Sequence, residues 1–186
     1  MVKHFINISD FKKNELKKII SFAKKIKNNP SKYNKLLQNK SLGMIFQKQS
    51  TRTRLSFNIG MKKIGGNVVE LDKNAIGFGQ RESDLDVIST LSQYIDCLMI
   101  RNDNHSRIIA LSKLNLLPII NGLSDFSHPC QILSDIFTIE ETGPFWKAPA
   151  IAPIDVATAG ITLVKSISFT WTPGETINPI TFTPNN

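Results

Sequence analysis

Short apolar runs alternate with segments of helical periodicity through the first 141 residues of this chain. Four runs have the length and composition of strands, at residues 42–46, 67–71, 97–100 and 117–121, and the continuous apolar run 97–100 predicts a buried strand. The segments between them carry apolar residues three or four positions apart, as helices do when they bury one face. Strands that alternate with helices predict an α/β fold, a doubly wound parallel sheet with helices on both faces.

Start and stop signals bound the helical segments. Ser9 and Asp10 predict the cap of a first helix, which ends at the Asn-Asn-Pro sequence of residues 28–30. A short second helix is predicted over residues 31–38, and the pair Gly65-Gly66 should close the helix that follows the first strand. The helix before the third strand is expected to present one apolar face, made of Leu85, Ile88, Leu91 and Ile95.

Polar residues suited to anion binding follow three of the predicted strands. Residues 50–54, Ser-Thr-Arg-Thr-Arg, come after the first strand, Arg101 ends the third, and residues 128–131, His-Pro-Cys-Gln, follow the fourth. Hydroxyls, guanidiniums and the free N–H groups of a helix N-terminus can converge on one small anion. Because the carboxyl ends of parallel strands meet at one edge of the sheet, we expect these groups to lie together. The pattern predicts phosphate binding, and a solvated basic turn is the alternative.

The formal net charge of +8 also indicates an anionic partner. Many lysines occur in pairs within the first forty residues, at spacings typical of the solvated face of a helix, and no groove-reading motif accompanies them. Nucleic acid is therefore the least favoured partner. Cys97 and Cys130 lack metal-ligand spacing, and the chain has no secretory h-region and no apolar run of eighteen residues. These features predict a cytoplasmic protein without membrane spans.

Residues 46–57, Phe-Gln-Lys-Gln-Ser-Thr-Arg-Thr-Arg-Leu-Ser-Phe, resemble the carbamoyl-phosphate signature of the aspartate/ornithine carbamoyltransferases. Glu82-Ser83, Arg101, the Asn-Gly-Leu of residues 121–123 and the His-Pro-Cys-Gln of residues 128–131 follow in the family's order. The resemblance covers about residues 3–141, and the forms of the first and last motifs are closer to ornithine than to aspartate carbamoyltransferase.

The resemblance implies carbamoyl transfer from carbamoyl phosphate to the amine of L-ornithine, which gives citrulline and phosphate in arginine biosynthesis. It implies no cofactor and no metal, a cytoplasmic homotrimer, and no nucleic-acid or membrane partner. The residues that it assigns to carbamoyl-phosphate binding are Ser50, Thr51, Arg52, Thr53, Arg101, His128 and Gln131, and the catalytic ones among them are Arg52, Arg101 and His128.

The roles implied by the resemblance have simpler alternatives. Arg101 and His128 would direct donors at the carbonyl oxygen, and Gln131 would accept from the carbamoyl NH2 group. Arg101 could instead be a salt-bridge partner at a strand end, and His128 could cap the helix that follows it. Gln131 by itself indicates nothing. His4 and His105 are interpreted as surface residues without partners.

The composition changes beyond residue 141. Six of the nine prolines and both tryptophans lie after Gly143, and the family's second-domain motifs, Asp-x-x-x-Ser-Met and His-Cys-Leu-Pro, are absent. Alternation at residues 161–171 and a turn signal at 172–175 predict an irregular or β-hairpin tail. The domains are therefore predicted as 1–141, a carbamoyl-phosphate-binding domain, and 142–186, an atypical tail from a truncated or rearranged reading frame.

Three functions stay open at this point. The first is ornithine carbamoyl transfer, with activity limited by the missing amino-acid-binding half. The second is a non-catalytic remnant that binds carbamoyl phosphate or phosphate, and the third is an aspartate carbamoyltransferase-type domain.

Overall fold

The computed structural model describes residues 2–72, 76 and 82–142. Its elements in chain order are a 3-10 turn at Ile8–Asp10, α1 (Lys13–Asn28), α2 (Pro30–Tyr33), β1 (Ser41–Phe46), α3 (Thr51–Lys63), β2 (Asn67–Leu71), α4 (Asp84–Ser92), β3 (Cys97–Arg101), α5 (His105–Lys113), β4 (Ile119–Leu123) and α6 (Pro129–Thr142). The predicted hairpin and turn of the tail lie outside the described residues. None of the described helices is long and apolar enough to cross a membrane.

The four strands form one sheet in the order β2-β1-β3-β4, and every neighbouring pair is parallel. The chain runs from β1 to β2 on one side and then returns to place β3 on the other side of β1. The direction of winding therefore changes between β1 and β3, which is where α/β sheets hold their ligands. The predicted doubly wound α/β fold is confirmed.

Alternate residues of the strands enter two hydrophobic clusters, as the two-residue period of a strand requires. In one cluster, Ile45 and Ile100 pack with Ile88 of α4 and Ile108 of α5. In the other, strand residues pack with α3, and the members are Leu42, Met44, Phe46 and Met99, with the partly buried Phe57 and Met61. Helices on both faces thus cover the central strands, which explains their continuous apolar sequences.

The helix α3 ends as its glycine pair predicts. Gly65 has a φ of +84°, a left-handed conformation that glycine adopts without strain. Its N–H donates to the Lys62 carbonyl (3.2 Å), and the Gly66 N–H donates to the Met61 carbonyl (2.9 Å). This pair of bonds is a Schellman motif, which satisfies the last carbonyls of the helix.

Two helix predictions near the N-terminus are wrong in their bounds. The helix α1 begins at Lys13 with Lys12 as its N-cap, whereas Ser9 and Asp10 lie in the preceding 3-10 turn. Lys12 makes no side-chain capping hydrogen bond, but its own N–H donates to the Glu15 carboxylate (2.9 Å), which fixes the start of the helix. The second helix covers only Pro30–Tyr33 instead of residues 31–38.

Two predictions in the second half also need correction. Strand β4 begins at Ile119, two residues later than predicted. Residues 117 and 118 continue the apolar run, but the pairing of β4 with β3 starts only at Ile119. The predicted face of α4 is wrong in two members: Leu85 is exposed, and Ile95 lies beyond the end of the helix. The buried residues of α4 are Val87 and Ile88.

Candidate functional site

The N-terminus of α3 lies at the carboxyl end of β1, and its first N–H groups have no partner among the described residues. Ser50 is the N-cap residue with an extended backbone, but its side chain makes no capping hydrogen bond. The first N–H with an acceptor is that of Arg54, which donates to the Ser50 carbonyl (3.3 Å). Within the described part of the chain, the N–H groups of Thr51, Arg52 and Thr53 have no partner, as at any uncapped helix start. This terminus presents partial positive charge to the strand edge.

Arg101 joins this helix start to the neighbouring strand. It is the last residue of β3 and lies opposite Phe46 in the register of the two strands. Its Nη1 donates to Ser50 Oγ (2.7 Å) and to Thr53 Oγ1 (3.3 Å). The Arg101 carbonyl also accepts from the Gln47 N–H (3.0 Å). Among the described residues, Arg101 is thus held by hydroxyls and pairs with no carboxylate, which argues against the salt-bridge alternative.

The direction of these bonds determines what the hydroxyls offer to a ligand. Because Ser50 Oγ and Thr53 Oγ1 accept from the Arg101 guanidinium, each keeps its own O–H for donation to another group. Arg52 and Thr51 are exposed on the same first turn, and no described residue pairs with the Arg52 guanidinium. The predicted group Ser50, Thr51, Arg52, Thr53 and Arg101 is therefore brought together, with donors in excess of acceptors.

Two other cations of the motif are engaged elsewhere. The Arg54 guanidinium lies 4.9 Å from the centroid of the Phe46 ring and pairs with Glu70 of β2 (3.5 Å). Lys48 pairs with Asp103 after β3. Both pairs are largely exposed, so each contributes little to stability, but they connect the turn to the strands on either side.

His128 follows β4 and directly precedes α6. Burial, together with a smaller effect from the nearby positive charge of Arg101, lowers the pKa of this imidazole to about 4. His128 is therefore neutral at pH 7. Its buried Nδ1 has no hydrogen-bond partner within the described residues, so the ring makes no capping bond through that atom. An unpaired buried nitrogen beside a guanidinium is a polar group left for a ligand.

Gln131 lies in the first turn of α6, three residues after His128. Its Nε2 donates to Asp135 Oδ1 (2.8 Å), and Asp135 has a pKa raised by burial and partly offset by this bond. The bond fixes the amide so that Oε1 is the end available to accept. Cys130 lies between these residues, and burial raises the pKa of its thiol to about 12, so it is not a nucleophile at neutral pH.

Sequence reasoning missed a polar network that supports the loop before His128. Asn121 is fully buried and hydrogen-bonds through both ends of its amide, and Ser124 is also buried. The interpretation of His105 as a surface residue without partners is wrong, because its Nδ1 lies 2.8 Å from Ser124 Oγ. His4 has a partner as well, since its Nδ1 accepts from the Ile119 N–H (3.2 Å). A polar asparagine at the end of an apolar strand was the available signal.

The arrangement combines a binding site for one anion with hydrogen-bond donors that can stabilise negative charge on a neighbouring atom. Free N–H groups, two hydroxyls and Arg52 can surround a phosphate, while Arg101 and neutral His128 lie beside it across the edge of the sheet. Donors that are fixed before a ligand arrives stabilise developing negative charge without reorganisation. Such a site suits transfer of an acyl-type group away from phosphate.

Comparison with known proteins gives a family for this geometry. The profile described as aspartate/ornithine carbamoyltransferase, carbamoyl-P binding domain, matches residues 3–141. An ornithine carbamoyltransferase of Shewanella oneidensis is 42% identical over 140 residues, which cover 75% of this chain and 46% of that protein. One from Ruthia magnifica is 43% identical over 143 residues, covering 76% and 48%. The chain thus spans about half the length of these curated relatives.

Comparison with solved structures also leads to ornithine carbamoyltransferases. Anabolic ornithine carbamoyltransferase from Campylobacter jejuni superimposes with a TM-score of 0.72 at 34% identity, covering 78% of this chain and 48% of that one. The enzyme from Pyrococcus furiosus gives a TM-score of 0.72 at 39% identity, with 75% and 45% covered. The anion-binding site, the parallel sheet and these matches together show that this chain belongs to the aspartate/ornithine carbamoyltransferase family, and that residues 3–141 are an ornithine carbamoyltransferase-like carbamoyl-phosphate-binding domain.

Proposed function

We propose that this domain binds carbamoyl phosphate and serves carbamoyl transfer to the amine of ornithine, which yields citrulline and phosphate. The observation that carries the proposal is the Arg101 guanidinium, which bridges Ser50 and Thr53 beside the unpaired Nδ1 of His128. In this scheme the phosphate lies against the start of α3, and the carbonyl oxygen lies toward Arg101 and His128.

Each residue then has a task that its surroundings suit. The hydroxyls of Ser50 and Thr53, the N–H groups of the first turn and the Arg52 fork hold the phosphate. Arg101 stabilises the oxyanion that forms as the amine attacks the carbamoyl carbon. Neutral His128 donates an N–H to that oxygen without adding a proton that would have to be removed.

Gln131 completes the scheme through its free Oε1, which accepts from the carbamoyl NH2 group while Asp135 holds the other end of its amide. Phosphate leaves with the electron pair of the broken C–O bond, and the attacking nitrogen loses its proton to solvent or to phosphate. Positioning of the two substrates supplies a large part of such a rate.

Carbamoyl phosphate binding is tested by calorimetric titration of the chain, with inorganic phosphate as a second ligand. Arg52→Ala is the variant, because the Arg52 side chain is exposed and its removal should leave the fold intact. Loss of one charged hydrogen-bond donor should weaken binding by about tenfold or more. Equal affinity in Arg52→Ala, or no binding by the unaltered chain, would refute the proposed phosphate-binding site at the start of α3.

The transfer step is tested by citrulline formation from carbamoyl phosphate and ornithine. Turnover above the Arg52→Ala background supports the enzyme. Binding and thermal stabilisation without turnover support the second candidate, a carbamoyl-phosphate-binding remnant. The chain spans about half the length of the Shewanella oneidensis and Campylobacter jejuni enzymes, so turnover by this sequence is tested separately from binding. The same assay with aspartate in place of ornithine tests the third candidate, an aspartate carbamoyltransferase-type domain.

The remaining proposals concern the domain bounds, the L-ornithine-binding half and the oligomeric state. We propose residues 1–141 as the carbamoyl-phosphate domain and residues 142–186 as a tail outside it. The half that binds L-ornithine would lie outside residues 1–141, and the family resemblance suggests a homotrimer. Sedimentation with and without carbamoyl phosphate measures the assembly, and a monomer under both conditions would contradict the trimer.

A further inference from the structure

We propose that Asn121 and Ser124 are positioning residues for His128, which act by fixing the carbonyl of Ser127 and hence the peptide bond that carries His128. This inference rests on the proposed function, because it explains how the imidazole is presented to carbamoyl phosphate. Neither residue is placed in contact with the substrate.

Asn121 anchors the loop from inside the sheet. Its Nδ2 donates to the Ile6 carbonyl (3.1 Å) and to the Ser127 carbonyl (3.1 Å), and its Oδ1 accepts from the Leu123 N–H (3.0 Å). The side chain has no exposed surface, so no water replaces these bonds. One amide thus ties the N-terminal segment, the end of β4 and the residue before His128 together.

Ser124 closes the same loop from its other end. Its Oγ accepts from the Ser127 N–H (3.0 Å), and its backbone N–H donates to the Ser127 carbonyl (3.0 Å). The Ser124 hydroxyl has one proton, which reaches either His105 Nδ1 (2.8 Å) or the Ser127 carbonyl (3.2 Å). The His105 contact links the loop to the first residue of α5.

These bonds matter for His128 because the Nδ1 of its ring has no hydrogen-bond partner in the described part of the chain. No hydrogen bond to a described residue therefore orients the imidazole through this atom. Its position follows from the backbone on its two sides, which are the Ser127 carbonyl and the buried Pro129 that opens α6. If the carbonyl were released, the ring would turn toward solvent and away from Arg101. Displacement of about 1 Å is enough to reduce catalysis strongly.

The test is the titration of the His128 ring by NMR in the full chain, with no ligand present. Ser124→Ala removes the hydroxyl of the network, and we expect the pKa of His128 to rise from about 4 toward the ordinary value of 6.5. Ser124→Thr keeps the hydroxyl and should restore the low pKa. Ser124→Cys, a weak hydrogen-bond partner of similar size, gives the same reading if the alanine variant does not fold.

Two serine-to-alanine controls separate positioning from loss of stability. Ser127→Ala changes the same loop, but no hydrogen bond to its hydroxyl exists among the described residues. Ser112→Ala removes a bond to the Ile109 carbonyl (2.8 Å) on α5, away from the loop. Both controls should leave the His128 titration unchanged. A folded Ser124→Ala chain whose His128 still titrates near pH 4 would overturn the inference.

Carbamoyl phosphate affinity at pH 7 is the second measurement. Ser124→Ala should weaken it by about tenfold, equivalent to one hydrogen bond, while both controls bind as the unaltered chain does. If the unaltered chain does not bind but Ser124→Ala moves the His128 titration, the positioning inference holds and the proposed function fails. If the unaltered chain binds carbamoyl phosphate but Ser124→Ala leaves the His128 titration unchanged, the proposed function holds and the positioning inference fails.

Discussion

Replacement of His128 by glutamine should remove part of the acid sensitivity of the fold. In the folded chain, burial and then the Arg101 charge lower the pKa of His128 to about 4 from an ordinary value of 6.5. The unfolded chain therefore takes up a proton between these values while the folded chain does not. Stability is fully present above pH 6.5 and is lost as the pH falls toward 4.

The magnitude follows from the two pKa values. Each pKa unit between the folded and unfolded states corresponds to about 1.4 kcal/mol. Between about pH 7 and pH 4.5 the His128 contribution falls by about 2 kcal/mol, after a reduction for the part of the ring that solvent reaches. Glutamine keeps polarity and similar size without titrating, so this loss should be absent in His128→Gln.

Urea denaturation of both chains at pH 7 and pH 4.5 measures the effect as a double difference. Other titrating groups cancel in this comparison, including His4, whose pKa is also lowered by burial, and Asp135, whose pKa is raised by burial. The free energy of unfolding should fall less in His128→Gln, by about 2 kcal/mol. Equal losses in the two chains would refute the claim that His128 is buried in its neutral form.

Further substitutions test the site and the fold. Arg101→Met should weaken carbamoyl phosphate binding by about tenfold or more in calorimetry. In NMR titration it should raise the pKa of His128 only partly, because burial is the larger cause of the lowered pKa. A full return of the pKa to 6.5 would contradict this order of causes. Gly65→Ala should lower the free energy of unfolding by about 1–3 kcal/mol, since its φ is +84° and an added Cβ would lie 2.5 Å from the Asn34 carbonyl oxygen. Gly60→Ala, with nothing within 4 Å of its Cβ, should instead raise it by about 0.5–1 kcal/mol because Gly60 lies inside α3. Thermal and urea denaturation of this pair would contradict the reasoning if both changes had the same sign.

The local chemistry of the anion turn follows from the order of its residues. Hydroxyl and arginine residues soon after an apolar run predict a helix N-terminus at a strand end, and α3 begins at Thr51, within the residues predicted as the turn before it. The prediction succeeds because such a helix start depends on residues within a few positions of one another. The boundary of β4 fails for the complementary reason, since its apolar run continues on both sides of the true start.

The sequence by itself determined the α/β class, the burial of β3 on both faces and the edge of the sheet where the polar groups gather. It did so because burial leaves a periodic pattern in neighbouring residues. Only the tertiary structure decided which groups meet at that edge. Arg101 reaches Ser50 across 51 positions of the chain, and Asn121 reaches Ile6 across 115. Nothing in the local pattern around either residue encodes such a contact, because it depends on the order and register of the strands.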